Sequence, residues 1–196
     1  MYKSGMTKIS RGFTLVELLI VIAILAVLST ATVVVLNPAE LLKQARDSQR
    51  VTDMDTLKTA LGMYVASVTP IDLDAAVALC GVAGTAGATA VGPPTVASFT
   101  IAANLIDATR EITGVGWLPV NFSAIPGGSP IPVLPVDPTN SVGWVYRYAC
   151  DNVNSTFELN CSLESVKFAT TLDLDGLDGG SNIAFYEVGT DPGLDL

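Results

Sequence analysis

The run Arg11-Gly12-Phe13-Thr14-Leu15-Val16-Glu17-Leu18-Leu19-Ile20 decides how the rest of this chain is read. It opens an apolar block, residues 13–36, in which Glu17 is the sole charged side chain. At about 1.5 Å of rise per residue, a helix over that block extends roughly 36 Å, enough to cross a hydrocarbon core of about 30 Å. A cleavable secretory signal has an apolar centre of only about 7–15 residues, so the block is too long for that role. Upstream, Lys3, Lys8 and Arg11 stand without any acid among residues 1–12. This basic leader predicts a cytoplasmic N-terminus, although Lys43, Arg46 and Arg50 beyond the span weaken the bias.

A carboxylate inside such a helix is costly unless it is partnered, and is a functional residue by default. No basic side chain within residues 13–36 can neutralise Glu17. A partner must come from a new amino terminus or from another subunit. If the chain is cut between Gly12 and Phe13, Glu17 lies one helical turn from a fresh α-ammonium, and the same amine on a neighbouring copy is a natural counter-ion.

These residues resemble the prepilin signature of type IV pilins and type II secretion pseudopilins. Gly12, Phe13 and Glu17 match that pattern residue by residue. The resemblance implies that a membrane peptidase cuts after Gly12, that Phe13 is N-methylated, and that Glu17 steers docking against the Phe amine of an adjacent subunit. It implies an α+β, pilin-like fold: a leader (1–12), a transmembrane or filament-core helix (13–36), an amphipathic helical half (37–69) and a globular extracytoplasmic head (70–196) on a small antiparallel sheet. The implied partners are other copies of the chain or other pilins, the prepilin peptidase, the inner-membrane assembly platform and the membrane itself. The implied location is the inner membrane as a single pass, then a pilus or pseudopilus. One departure is the absence of a proline within the apolar helix, where this chain reads Thr32-Val33-Val34-Val35, a β-branched run of lower helix propensity.

Asn37-Pro38 reads as a helix restart, with Asn37 as N-cap and Pro38 at the first helical position. Beyond it, Leu42, Ala45, Met54, Leu57, Leu61, Tyr64, Val65 and Val68 recur at helical spacing, and predict a face that packs on the head. Lys43, Gln44, Asp47, Arg50, Asp53, Asp55 and Lys58 read as the other, polar sides. Thr69-Pro70 ends the element.

Residues 80–94, rich in Gly, Ala, Thr and Val, read as a mobile surface loop. Residues 99–112 suggest a short helix with Ile101, Leu105, Ala108 and Ile112 on one side and Gly114 as its stop. Residues 114–138, punctuated by Pro and Gly, read as an ordered loop laid on the core. Strands are predicted over 144–150, 157–163 and 182–188, the first two as a hairpin. The segment Leu134-Pro135-Val136-Asp137-Pro138 followed by Tyr146-Arg147-Tyr148 is similar to the core of the type II major pseudopilin, a weaker match than the leader.

Three cysteines permit one bridge and leave one thiol. The hairpin separates Cys150 and Cys161 by five strand positions, about 17 Å against the roughly 4.4–6.8 Å a disulfide needs. Cys161 therefore reads as a buried core thiol, and Cys80–Cys150 is the candidate bridge, pinning the small-residue loop to the sheet. Asp173, Asp175 and Asp178 lie in a Gly-rich run and are candidate calcium ligands, since calcium takes several oxygen donors from one loop. The spacing is not that of an EF-hand. The resemblance implies calcium in a loop of this general location, against the plainer reading of a solvated acidic turn.

Composition removes several classes of function. The chain has no His, which excludes Ser-His-Asp and Cys-His catalysis and the usual zinc sites. Lys3, Lys8 and Arg11 are three of ten basic residues, so a chain starting at Phe13 carries seven against nineteen acids, a net −12. That balance disfavours nucleic-acid binding. The sequence thus reads as a non-enzymatic fibre subunit, either major-pseudopilin-like in type II secretion or a small type IV pilin. The lack of a C-terminal disulfide loop and the Asp/Gly run favour the former or a minor pilin. The alternative is an extracytoplasmic binding module on a prepilin-type anchor.

Overall fold

The computed structural model describes residues 12–75, 80, 85–88, 95–96, 99–106 and 109–191. They fall into two compact units, residues 1–41 and 42–196.

In the first unit, helix α1 runs Leu15–Leu36. Its window Leu15–Val33 is long and apolar enough to cross a membrane, and none of it is buried within the chain. The β-branched run does not break it. Instead, Ser29, Thr30 and Thr32 each donate a hydroxyl hydrogen bond to the carbonyl four residues back, which satisfies these hydroxyls without water. The helix ends at Asn37, whose backbone is left-handed (φ 41°, ψ 70°), a conformation Asn tolerates better than most residues. Helix α2 begins at Pro38 and runs Pro38–Ser67. Pro38 holds the expected first position. Asn37 differs from an ordinary N-cap: it terminates α1 in the left-handed region, while its carbonyl accepts from the N–H groups of Glu40 and Leu41.

In the second unit, α2 contributes Met54, Leu57, Ala60, Leu61 and Tyr64 to the core. They meet Trp117, Leu118, Val120, Phe122 and Leu134 from the long loop, Tyr146 just before the fourth strand, and Tyr148, Phe157 and Leu159 from the sheet. Leu42 and Ala45, expected on the packing face, are exposed, so the core begins about two turns further along. The loop keeps its shape through its own bonds. Trp117 Nε1 donates to the Pro135 carbonyl at 2.9 Å, and Arg110 Nε to the Leu134 carbonyl at 2.7 Å. A Cβ on Gly116 would sit 2.4 Å from the Glu111 carbonyl, so only glycine fits there.

The strands are β1 (Thr85–Ala88), β2 (Thr95–Val96), β3 (Phe99–Ile106), β4 (Arg147–Asp151), β5 (Thr156–Cys161) and β6 (Tyr186–Gly189). They form one sheet in the order β2-β3-β1-β4-β5-β6. Strands β4, β5 and β6 are the expected antiparallel set, with Cys150 opposite Phe157 as the hairpin reading required. Two expectations are corrected. Residues 99–106 form a strand, not a helix: Phe99, Ile101, Ala103 and Leu105 also alternate, and pairing with β1 and β2 decides between the two periods. Residues 85–88, assigned to a loop, form β1, which pairs parallel with β3 and antiparallel with β4, so the sheet is mixed. The rest of the 80–94 loop, except Cys80, lies outside the described residues.

Candidate assembly site and the buried charges of the head

Gly12, Phe13 and Thr14 precede α1 in extended or irregular backbone, and Phe13 is exposed. Thr14 is the N-cap, in the β region. Its hydroxyl accepts from the Glu17 N–H at 3.2 Å. In return, Glu17 Oε2 accepts from the Thr14 N–H at 2.9 Å and the Thr14 hydroxyl at 2.8 Å. This reciprocal capping box satisfies two free N–H groups of the helix start. It also fixes the carboxylate at the N-terminal end of α1, one turn from the Gly12–Phe13 bond, where the helix dipole favours negative charge. Two hydrogen bonds satisfy only one of its oxygens and supply no opposite charge. Chemically, the segment offers an exposed Gly12–Phe13 bond, an exposed aromatic side chain beside it, and an exposed carboxylate held in place one turn away.

The second feature was missed as a site by the sequence reading. Asp47 and Arg50, expected on the polar sides of α2, are fully buried. Arg50 Nε and Nη2 make a paired contact to Asp137 at 2.7 and 2.9 Å. Nη1 reaches Asp47 at 2.8 Å and Glu164 at 2.6 Å, and Nη2 also donates to the Thr139 hydroxyl at 3.1 Å. All five guanidinium donors are thus used. The Trp144 ring covers the guanidinium at 5.1 Å. Asp47 in turn accepts from the backbone N–H groups of Glu164 and Ser165, and Asp137 from those of Thr139 and Asn140. Arg46 binds Glu164 from the outer side. The Arg46 hydrogen bond, then those and the charge of Arg50, hold the Glu164 carboxyl down to about 2. One helix is thereby tied to the Pro135-Val136-Asp137-Pro138 segment and to the chain leaving β5. The signal was in the spacing: Asp47, Arg50, Met54, Leu57, Leu61 and Tyr64 continue one stripe at three- and four-residue steps.

Cys80 and Cys150 are joined in a disulfide, with Cα atoms 4.7 Å apart. Around it, Asp74 accepts from the Cys80 N–H and the Asn152 side chain, while Tyr148 donates its hydroxyl to the Leu73 carbonyl. Cys161 is a free, buried thiol whose pKa burial pushes up.

Among the described residues, no group of three or more His, Cys, Asp or Glu is placed to hold a metal ion. Asp173 is the left-handed residue before a short helix, α3 (Leu174–Leu177). Burial, then repulsion from Asp173 and Asp178, raises the Asp175 pKa. Asp178 accepts from the N–H groups of Gly180 and Glu187 at 2.8 and 2.6 Å, which blunts the outer edge of β6. Asp178 thus builds a turn, and no part of the function below is assigned to a metal.

On the sheet face away from α2, Arg147, Glu158, Asn160 and Glu187 are also buried. Phe185 lies 4.7 Å over the Arg147 guanidinium, and burial draws its pKa down to about 10.

Against known proteins, no solved structure matches the chain. Residues 7–33 match the family model of the prokaryotic N-terminal methylation motif, so the chain carries the prepilin-type cleavage and methylation signature of type IV pilins and pseudopilins.

Proposed function

We propose that this chain is a structural, non-catalytic subunit of a type IV pilus or pseudopilus, cleaved between Gly12 and Phe13, N-methylated on Phe13 and assembled through α1. The observation that carries this reading is the 22-residue helix Leu15–Leu36, exposed along its length, with one capped carboxylate at its start. An apolar surface of that extent needs either lipid or other helices. Moving it from bilayer to filament gains little hydrophobic free energy, because lipid tails are as apolar as leucine. Packing alone therefore sets register weakly. Glu17 sets it, because only the registers that bring an ammonium to its carboxylate avoid an unpaired charge in an apolar medium. The amine freed at Phe13 of a neighbouring copy supplies that ammonium, so cleavage switches assembly on. The head stays outside the cytoplasm, consistent with its disulfide.

Mass spectrometry of the mature protein from its own membranes tests the reading. The expected N-terminus is N-methylated Phe13. An intact leader, or a first residue elsewhere in the apolar block, overturns it.

A further inference from the structure

The sequence contains three Asn-x-Ser/Thr triplets without proline in the middle: Asn121-Phe122-Ser123, Asn154-Ser155-Thr156 and Asn160-Cys161-Ser162. Such triplets are acceptors for N-linked sugars on the non-cytoplasmic side of a membrane. The finished fold separates them by where it has room for a sugar that was added before folding. Asn160 lies inside β5 and is buried. Asn121 is exposed, but its carboxamide oxygen accepts from the Ser123 N–H and its middle residue, Phe122, is fixed in the core. Asn154 lies in the turn between β4 and β5, exposed beside Val153, which is 90% accessible. Its Nδ2, the atom that would carry a sugar, is held only by the Asp151 carboxylate at 2.6 Å, in the turn itself.

A second observation concerns the hydroxyl that defines the triplet. Thr156 Oγ1 is shielded from solvent and, among the described residues, has no hydrogen-bond partner. A shielded hydroxyl without a partner is destabilising, and valine would fill the same shape without that cost. The folded head therefore gives Thr156 no reason to be threonine. Recognition of the hydroxyl before β4 and β5 pair gives it one.

We propose that Asn154 is an N-glycosylation site, modified as the head emerges from the membrane and before the hairpin closes. The donor is an oligosaccharide on a lipid diphosphate. Its C1–O bond breaks, a C1–Nδ2 bond forms on Asn154, the amide proton passes to a base of the transferase, and the lipid diphosphate leaves. The sugar then caps the hairpin turn.

This inference rests on the extracytoplasmic placement of the head proposed above, and one spectrum separates the two. In protein purified from its own membranes, tryptic peptide 148–167 is expected to carry added saccharide mass localised to Asn154, with peptide 111–147 bare. Asn154→Gln and Thr156→Val are each expected to abolish the added mass, Thr156→Ser to retain it, and Thr156→Val to leave the melting temperature equal or higher. A mature Phe13 terminus with bare Asn154 overturns the glycosylation site alone, as does sugar retained in Thr156→Val. An intact leader overturns the reading beneath it.

Discussion

Two charged residues on successive helices, Glu17 of α1 and Arg50 of α2, have opposite surroundings. Arg50 is fully buried, and five hydrogen bonds to three carboxylates and a hydroxyl use every donor it has. Glu17 is exposed, with one oxygen held by Thr14 and, among the described residues, no cation paired with it. The difference separates a charge that builds the fold from one that the fold leaves exposed. A charge whose partners all come from its own chain locks that chain. A charge satisfied only in part by its own chain, at the exposed start of an apolar helix, stays open to a partner from another molecule, which is the role proposed for Glu17.

The largest expected effect comes from opening the closed set. Arg50→Met leaves Asp47, Asp137 and Glu164 facing one another without their central cation. The cost is about 3–5 kcal/mol, typical of breaking a buried ion pair from one side, read by denaturant unfolding of the full chain in detergent. Combining it with Asp47→Leu and Asp137→Leu should return much of that stability. A single variant as stable as the parent would show that the network does not lock the head.

Losing the disulfide ranks next. Cys80→Ser is expected to cost roughly 2–5 kcal/mol, read as a fall in melting temperature that reductant reproduces in the parent chain.

Acid sharpens the contrast further. Glu164 is held down to about 2 from an ordinary value of 4.5. Its stabilisation is therefore complete above pH 4.5 and lost as pH falls towards 2. Glu164→Gln should flatten that limb of the stability curve. An unchanged limb would place the acid sensitivity elsewhere.

The smallest effect is on the open charge. Thr14→Ala removes the N-cap at a cost of about 1 kcal/mol, confined to faster amide exchange in the first turn of α1, with head stability unchanged.

Much of this was legible in the sequence. Glu17 stands out because no other side chain in residues 13–36 is charged, and Pro38 and Pro70 mark the limits of α2. Asp47 and Arg50 were assigned to solvent because residue type outweighed position, although both continue the stripe of Met54, Leu57 and Leu61. Their partners Asp137 and Glu164 lie 87 and 114 residues from Arg50, a separation no local pattern reports. Residues 99–106 satisfy helical and strand periods alike, and only their pairing with β1 and β2 settles the choice. The Asp/Gly run shows its carboxylates in the sequence but not their partners, such as the Gly180 and Glu187 N–H groups that Asp178 accepts from.

The central claim is that Glu17 is reserved for a neighbouring subunit, and Glu17→Gln in the full chain, expressed with its assembly machinery, tests it most directly. Glutamine can still bond Thr14 but cannot pair with an ammonium. The account expects normal cleavage at Phe13, an unchanged melting temperature of the head, and a loss of filaments. Filaments of normal number and length from that variant would contradict it.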